Sequence, residues 1–99
     1  MQNNNMLKKR GVTMQKITYI IRDKNGIHAR PAGLIVQVAK QYSSSVEMKT
    51  GDKSADCKKL FQIMQLGVSA GDEVEISVEG QDEDEAISEI SETMRAAGL

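Results

Sequence analysis

The residues of this chain best suited to chemistry stand together in KNGIHARPAG, residues 24–33, which holds its only histidine, His28, its only proline, Pro31, and Arg30. An imidazole offers a nucleophilic nitrogen near neutral pH, and a guanidinium is a planar clamp for oxyanions. Other histidine chemistries fit less well. Catalytic zinc needs about three protein ligands, and neither a second histidine nor a neighbouring cysteine accompanies His28, so no metal site is expected. No serine stands in the setting of a Ser-His-Asp nucleophile. The sequence also shows no second acid–base group to pair with His28, which argues against an enzyme with its own turnover.

The placement of His28 makes the case sharper. It immediately precedes a helical pattern, where unpaired backbone N–H groups and the positive end of the helix dipole attract an anion. Pro31 has no N–H to give, so the amides of Ala29 and Arg30 are the expected donors, with the Arg30 guanidinium beside them. Both features favour a neutral, nucleophilic ring. The small residues Ala29, Ala32 and Gly33 leave room for another protein to bring a phosphorylated residue close. The reading is a phosphoryl acceptor.

These residues need a scaffold, and the hydrophobic periods supply it. Ile17, Tyr19 and Ile21 alternate with Lys16, Thr18 and Arg22 in a half-buried strand, interrupted by Ile20, and DKNG is turn chemistry. From Ala29 to Tyr42, the residues Ile35, Val38, Ala39 and Tyr42 form the stripe of an amphipathic helix. Val46 and Met48 mark a second strand, and Gly51-Asp52 a tight loop into a short third strand over Lys53–Asp56. A short helix follows, from about Lys58 to Leu66, and stops at Gly67. Val74, Ile76 and Val78 alternate with Glu73, Glu75, Ser77 and Glu79 in a strand with one wet face. Ile87, Ile90, Met94 and Ala97 stripe a last helix that closes at Gly98. The order β-α-β-β-α-β-α, with one polar face per strand, predicts an α+β open-faced sandwich: a four-stranded antiparallel sheet with three helices on one face.

The helix in KKLFQIMQLG carries too much apolar surface for one buried stripe. Leu60, Phe61, Ile63, Met64 and Leu66 spread over roughly 220° of the wheel at about 100° per residue. Leu60, Phe61 and Met64 are the residues expected to face solvent as a protein-docking patch. The acidic run Asp82–Glu85 lacks the spaced ligands of a calcium loop and reads as charge stabilising a helix N-terminus. Ser43–Ser45 reads as a helix-to-strand turn.

Composition bounds the rest. At 99 residues this is one domain, with a single shallow core and little room for a deep pocket. With 13 basic against 14 acidic residues, no tryptophan and 3% aromatics, no nucleic-acid partner is expected. The lone Cys57 makes no internal disulfide, and neither a signal peptide nor a membrane-length apolar run is present, so a cytoplasmic protein without membrane insertion is expected. Residues 1–13 lack apolar periodicity and read as a disordered extension of a domain spanning 14–99.

The segments GIHARPAG, KSADCKKLFQIMQLGV, GDEVEISVEG and ETMRAAGL resemble HPr, the histidine-containing phosphocarrier family of the bacterial sugar phosphotransferase system, from Met14 to Leu99. The resemblance implies that His28 accepts a phosphoryl group at Nδ1 from phosphorylated enzyme I and passes it to the A components of enzyme II permeases. It implies Arg30 as the active-site arginine, and a docking surface that includes Ala29, Arg30, Gly33, Lys40, Lys59, Leu60, Phe61, Met64 and Gln65. It also implies a monomer that needs no cofactor, being itself a protein substrate. One position departs from the pattern: many Gram-positive members carry a regulatory serine where this chain has Lys59, which cannot accept phosphate. Gln37 also stands where enteric-type members place a basic residue, while Lys40, Lys58 and Lys59 supply charge. Two alternatives stand beside the sugar-uptake carrier. One is a paralogue in a regulatory or nitrogen-related phosphotransfer chain, and the other is an interaction module that is never phosphorylated.

Overall fold

Val74, Ile76 and Val78 are fully buried, and the strand that carries them, β4 (Glu73–Glu79), is an inner strand of the sheet. The structure, a computed structural model, describes residues 14–99, so the extension expected over residues 1–13 lies outside the described residues. β1 (Gln15–Ile20) pairs antiparallel with one edge of β4, with Ile17 opposite Ile76 and Tyr19 opposite Val74. β2 (Ser45–Thr50) pairs antiparallel with the other edge, with Val46 opposite Val78 and Met48 opposite Ile76. β3 (Lys53–Asp56) folds back on β2 through the Gly51-Asp52 turn, which completes the order β1-β4-β2-β3.

Three helices, α1 (Ala29–Ala39), α2 (Leu60–Gln65) and α3 (Glu83–Ala96), cover one face of this sheet. The fold is the open-faced sandwich that the patterning predicts, in the order β-α-β-β-α-β-α. The helices bury Ala32, Ile35 and Ala39 from α1, Ile63 from α2, and Ala86, Ile90 and Met94 from α3 against Val46, Met48 and the β4 residues. Each fully buried Ile, Val or Met side chain stabilises the fold by about 1.5–3 kcal/mol. Ile20, the residue that interrupts the alternation of β1, points away from this core and is 55% exposed.

Two boundaries are tighter than the periodicity implies. α1 stops at Ala39, and Tyr42 lies in the turn beyond it, its amide donating to the Ala39 carbonyl and its hydroxyl to Glu89 of α3. α2 begins at Leu60, because Asp56 draws the amides of Lys58 and Lys59 into a turn before the helix. Its end follows expectation, with Gly67 at a φ of +66° just past the C-cap Leu66. The wet face of β4 is also drier than alternation suggests, since Ser77 sits between Lys16 of β1 and Glu47 of β2 and is buried.

Candidate functional site

The loop from Ile21 to Ile27 carries the chain from β1 to α1, and backbone hydrogen bonds from distant segments fix it. The Ile21 amide donates to the Asp72 carbonyl at 2.9 Å, the Arg22 amide to Leu99 and the Ile27 amide to Val68. Within the loop, Asp23 closes the turn twice: its carbonyl accepts from the Gly26 amide, and its Oδ1 accepts from the Asn25 amide at 2.9 Å.

His28 is the N-cap residue of α1, with extended backbone, and its side chain makes no capping hydrogen bond. Its carbonyl accepts the Ala32 amide, and Pro31 is buried in the first turn, where its missing N–H costs nothing. The Ala29 and Arg30 amides have no acceptor among the described residues and sit at an exposed helix end. The Arg30 side chain is likewise exposed and forms no ion pair among the described residues. His28 and Arg30 line one shallow depression with Asp23, Pro31, Leu34 and the C-terminal end of α3 at Ala96 and Ala97. That arrangement offers an exposed imidazole next to unpaired donors and a fixed positive charge, a setting for an oxyanion.

The sequence reading missed Asp23. Its Oδ2 lies 3.3 Å from Nε2 of His28, with the aspartate side chain mostly buried and the imidazole 40% exposed. This corrects the expectation that no second acid–base group accompanies the histidine. The Asn25 amide, and then His28 itself, hold the Asp23 carboxyl below its ordinary value. The available signal was the spacing of DKNGIH, in which the turn that Asp23 closes brings the chain back past its own carboxylate.

The residues expected on the docking surface divide by exposure. Phe61 is 73% exposed and Met64 38%, while Ile63 between them is fully buried. Leu60, expected to face solvent with them, is half-buried and packs against the core, because the first turn of α2 lies down against the body of the protein. Gln65, Lys40 and Lys59 are exposed, Gly33 is half-buried, and Lys59 is the N-cap residue of α2. α2 packs beside α1, but its exposed residues lie outside the depression around His28.

The acidic run has a more particular structural role than helix-end charge. Asp82 accepts hydrogen bonds from the amides and hydroxyls of Ser43 and Ser44, tying the β2 entry to the start of α3. Glu83 is buried, and its Oε1 accepts the Gly80 amide at 3.0 Å. Among the described residues no three His, Cys, Asp or Glu side chains are gathered as a metal site, and no helix is long and apolar enough to cross a membrane.

Comparisons with known proteins agree on one family. The family model described as the PTS HPr component phosphorylation site matches residues 15–96. The chain is similar to the histidine-containing phosphocarrier protein of a mycoplasma, with 34% identity over 86% of this chain and 97% of that one, at a TM-score of 0.85. It is similar to an HPr of Thermoanaerobacter tengcongensis, with 40% identity over 83% of this chain and 92% of that one, at a TM-score of 0.78. It is also similar to Crh, the catabolite repression HPr of Bacillus subtilis, with 35% identity over 83% of this chain and 95% of that one, at a TM-score of 0.62. The chain belongs to the HPr family of phosphocarrier proteins. As a member of that family it is a carrier rather than a catalyst.

Proposed function

We propose that this protein carries a phosphoryl group on His28, taking it from phosphorylated enzyme I and delivering it to enzyme II A components for sugar uptake. The observation that carries this reading is the position of His28: an exposed imidazole at the N-cap of α1, beside the unpaired Ala29 and Arg30 amides and the unpaired Arg30 guanidinium. These donors stabilise the phosphoryl oxygens as the group arrives, without a metal or cofactor. The exposed Phe61 and Met64, with Leu60 at their edge, form an apolar docking surface for both partners. Ala29, Arg30, Gly33, Lys40, Lys59 and Gln65 complete the contact area. The carrier domain spans residues 14–99 and acts as a cytoplasmic monomer.

The test is phosphorylation by phosphoenolpyruvate and enzyme I. The expected product is an acid-labile, base-stable phosphate on His28 that His28→Ala abolishes; label elsewhere, or no label, would overturn the assignment. The similarity to the catabolite repression HPr favours one second reading, a paralogue that acts mainly by binding regulatory partners. A panel of enzyme II A components separates the two, since only a transport carrier passes its phosphate efficiently to a sugar-type component. The presence of His28, Arg30 and Pro31 together weighs against a module that is never phosphorylated.

A further inference from the structure

We propose that Asp23 is a positioning residue that holds the proton of the neutral His28 ring on Nε2, so that Nδ1 is the nitrogen left bare for phosphoryl transfer. The inference rests on the carrier role of His28, but its geometry stands independently. Oδ2 of Asp23 lies 3.3 Å from Nε2. An ionised carboxylate only accepts hydrogen bonds, so the nitrogen facing it must be the one that bears hydrogen. A neutral imidazole has a single N–H, and placing it on Nε2 leaves the Nδ1 lone pair free.

Asp23 is built to hold this position. Its other oxygen, Oδ1, is engaged by the Asn25 amide, its carbonyl by the Gly26 amide, and the flanking loop is tied to Val68, Asp72 and Leu99. The carboxylate therefore has one oxygen committed to the turn and the other presented to the ring. Anchoring one oxygen fixes where the other sits, and a second group that orients the reacting base is a recurrent device in nucleophilic sites.

The proton count of the transfer step closes with this arrangement. The Nδ1 lone pair attacks phosphorus, the Nδ1–P bond forms, and the bond from phosphorus to the donor nitrogen breaks with its electron pair leaving on the donor. No proton has to depart from His28. The ring now carries both Nε2–H and the Nδ1 phosphoryl group, and the positive charge that develops on it is opposed by the Asp23 carboxylate. Delivery to the next acceptor reverses these changes and restores the neutral ring with its proton still on Nε2.

Because His28 is the only histidine, a histidine-labelled sample of the full chain gives one imidazole, whose two nitrogens long-range ¹H–¹⁵N NMR distinguishes. The variants are Asp23→Asn and Asp23→Ser, both of which keep an acceptor for the Asn25 amide while removing the carboxylate. Each is also treated with phosphoramidate, a small phosphoryl donor from which ammonia leaves, so that the phosphorylated nitrogen is identified without any partner protein. In the wild type the proton should sit on Nε2 and phosphoramidate should label Nδ1. In both variants the Nδ1–H fraction should rise at least threefold and phosphate should appear on Nε2 as well. A wild-type ring protonated on Nδ1, or variants with unchanged tautomer and product, would overturn the proposal. If the ring behaves as expected but enzyme I transfers nothing to His28, the carrier reading fails while the Asp23–His28 relationship stands.

Discussion

The carbonyl oxygen of Val68 lies 2.1 Å from where a Cβ on Gly26 would stand, so the loop that carries His28 closes against that segment through backbone alone. Gly26 also sits at a φ of +65°, a conformation that costs a residue with a side chain about 1–2 kcal/mol. The neighbouring Ile27 amide donates to the same Val68 oxygen, so this oxygen cannot retreat without breaking that bond. Gly26→Ala should therefore destabilise the fold by about 2 kcal/mol or more, measured by urea unfolding, which corresponds to roughly 8 °C or more for a domain this size. An alanine variant as stable as the wild type would mean that the loop is not held against Val68.

Ile63 and Phe61 stand two residues apart on one helix, and the structure gives them opposite roles. Ile63→Ala should cost about 2–5 kcal/mol, because its side chain is fully buried in the core. Phe61→Ala should leave stability within about 0.5 kcal/mol of the wild type, because its ring is mostly in water. Transfer from enzyme I should nevertheless slow on the order of tenfold in the phenylalanine variant, equivalent to about 1.4 kcal/mol of lost docking energy. An unfolded Phe61 variant, or one with an unchanged transfer rate, would count against the docking surface.

Asp82 gives the protein a specific acid sensitivity. The Ser44 hydroxyl, followed by the Ser43 amide, holds its carboxyl down to about 2, against 3.8 unperturbed. A depressed folded value means that the unfolded chain binds the proton first on acidification. The contribution of Asp82 is therefore fully present above about pH 4 and is lost as the pH falls through about 2. Asp82→Asn should be less stable than the wild type near neutrality and should lose less further stability between about pH 5 and about pH 2. Urea midpoints across the range measure both effects, and parallel pH profiles would remove Asp82 from the account.

Cys57 should behave as a core residue rather than a reactive thiol. It has no exposed surface, and burial pushes its thiol up to about 12, with a smaller effect of Asp56 and Glu47 in the same direction. A thiol held neutral is a poor nucleophile. Reaction with a disulfide reagent at mildly alkaline pH should follow global unfolding, becoming fast only in denaturant. Rapid labelling of the native protein would show that the β3–α2 connection opens locally.

The order of elements, the outward Ile20 and the stop at Gly67 were all legible because they depend on neighbours within a few residues. A side chain points by strand or helix period, and a glycine past a C-cap acts on its own turn. The end of α1 and the start of α2 were less legible. Tyr42 continues the helical stripe in sequence, yet its hydroxyl goes to Glu89, on an element 47 residues away. Lys58 and Lys59 look helical until Asp56 takes their amides.

The same division runs through the site. Local chemistry placed His28 before a helix, put Pro31 in its first turn and set Arg30 beside the open amides, since a helix start is written into the few residues around it. Which carboxylate meets the ring was decided by the closed loop, whose shape depends on hydrogen bonds to Val68, Asp72 and Leu99 far along the chain. The apolar excess of α2, and with it the exposure of Phe61 and Met64, was visible on a helical wheel, but the settling of Leu60 at the core edge was not. A wheel gives the angle between side chains, whereas how deeply each one sinks is set by how the helix lies against the rest of the fold.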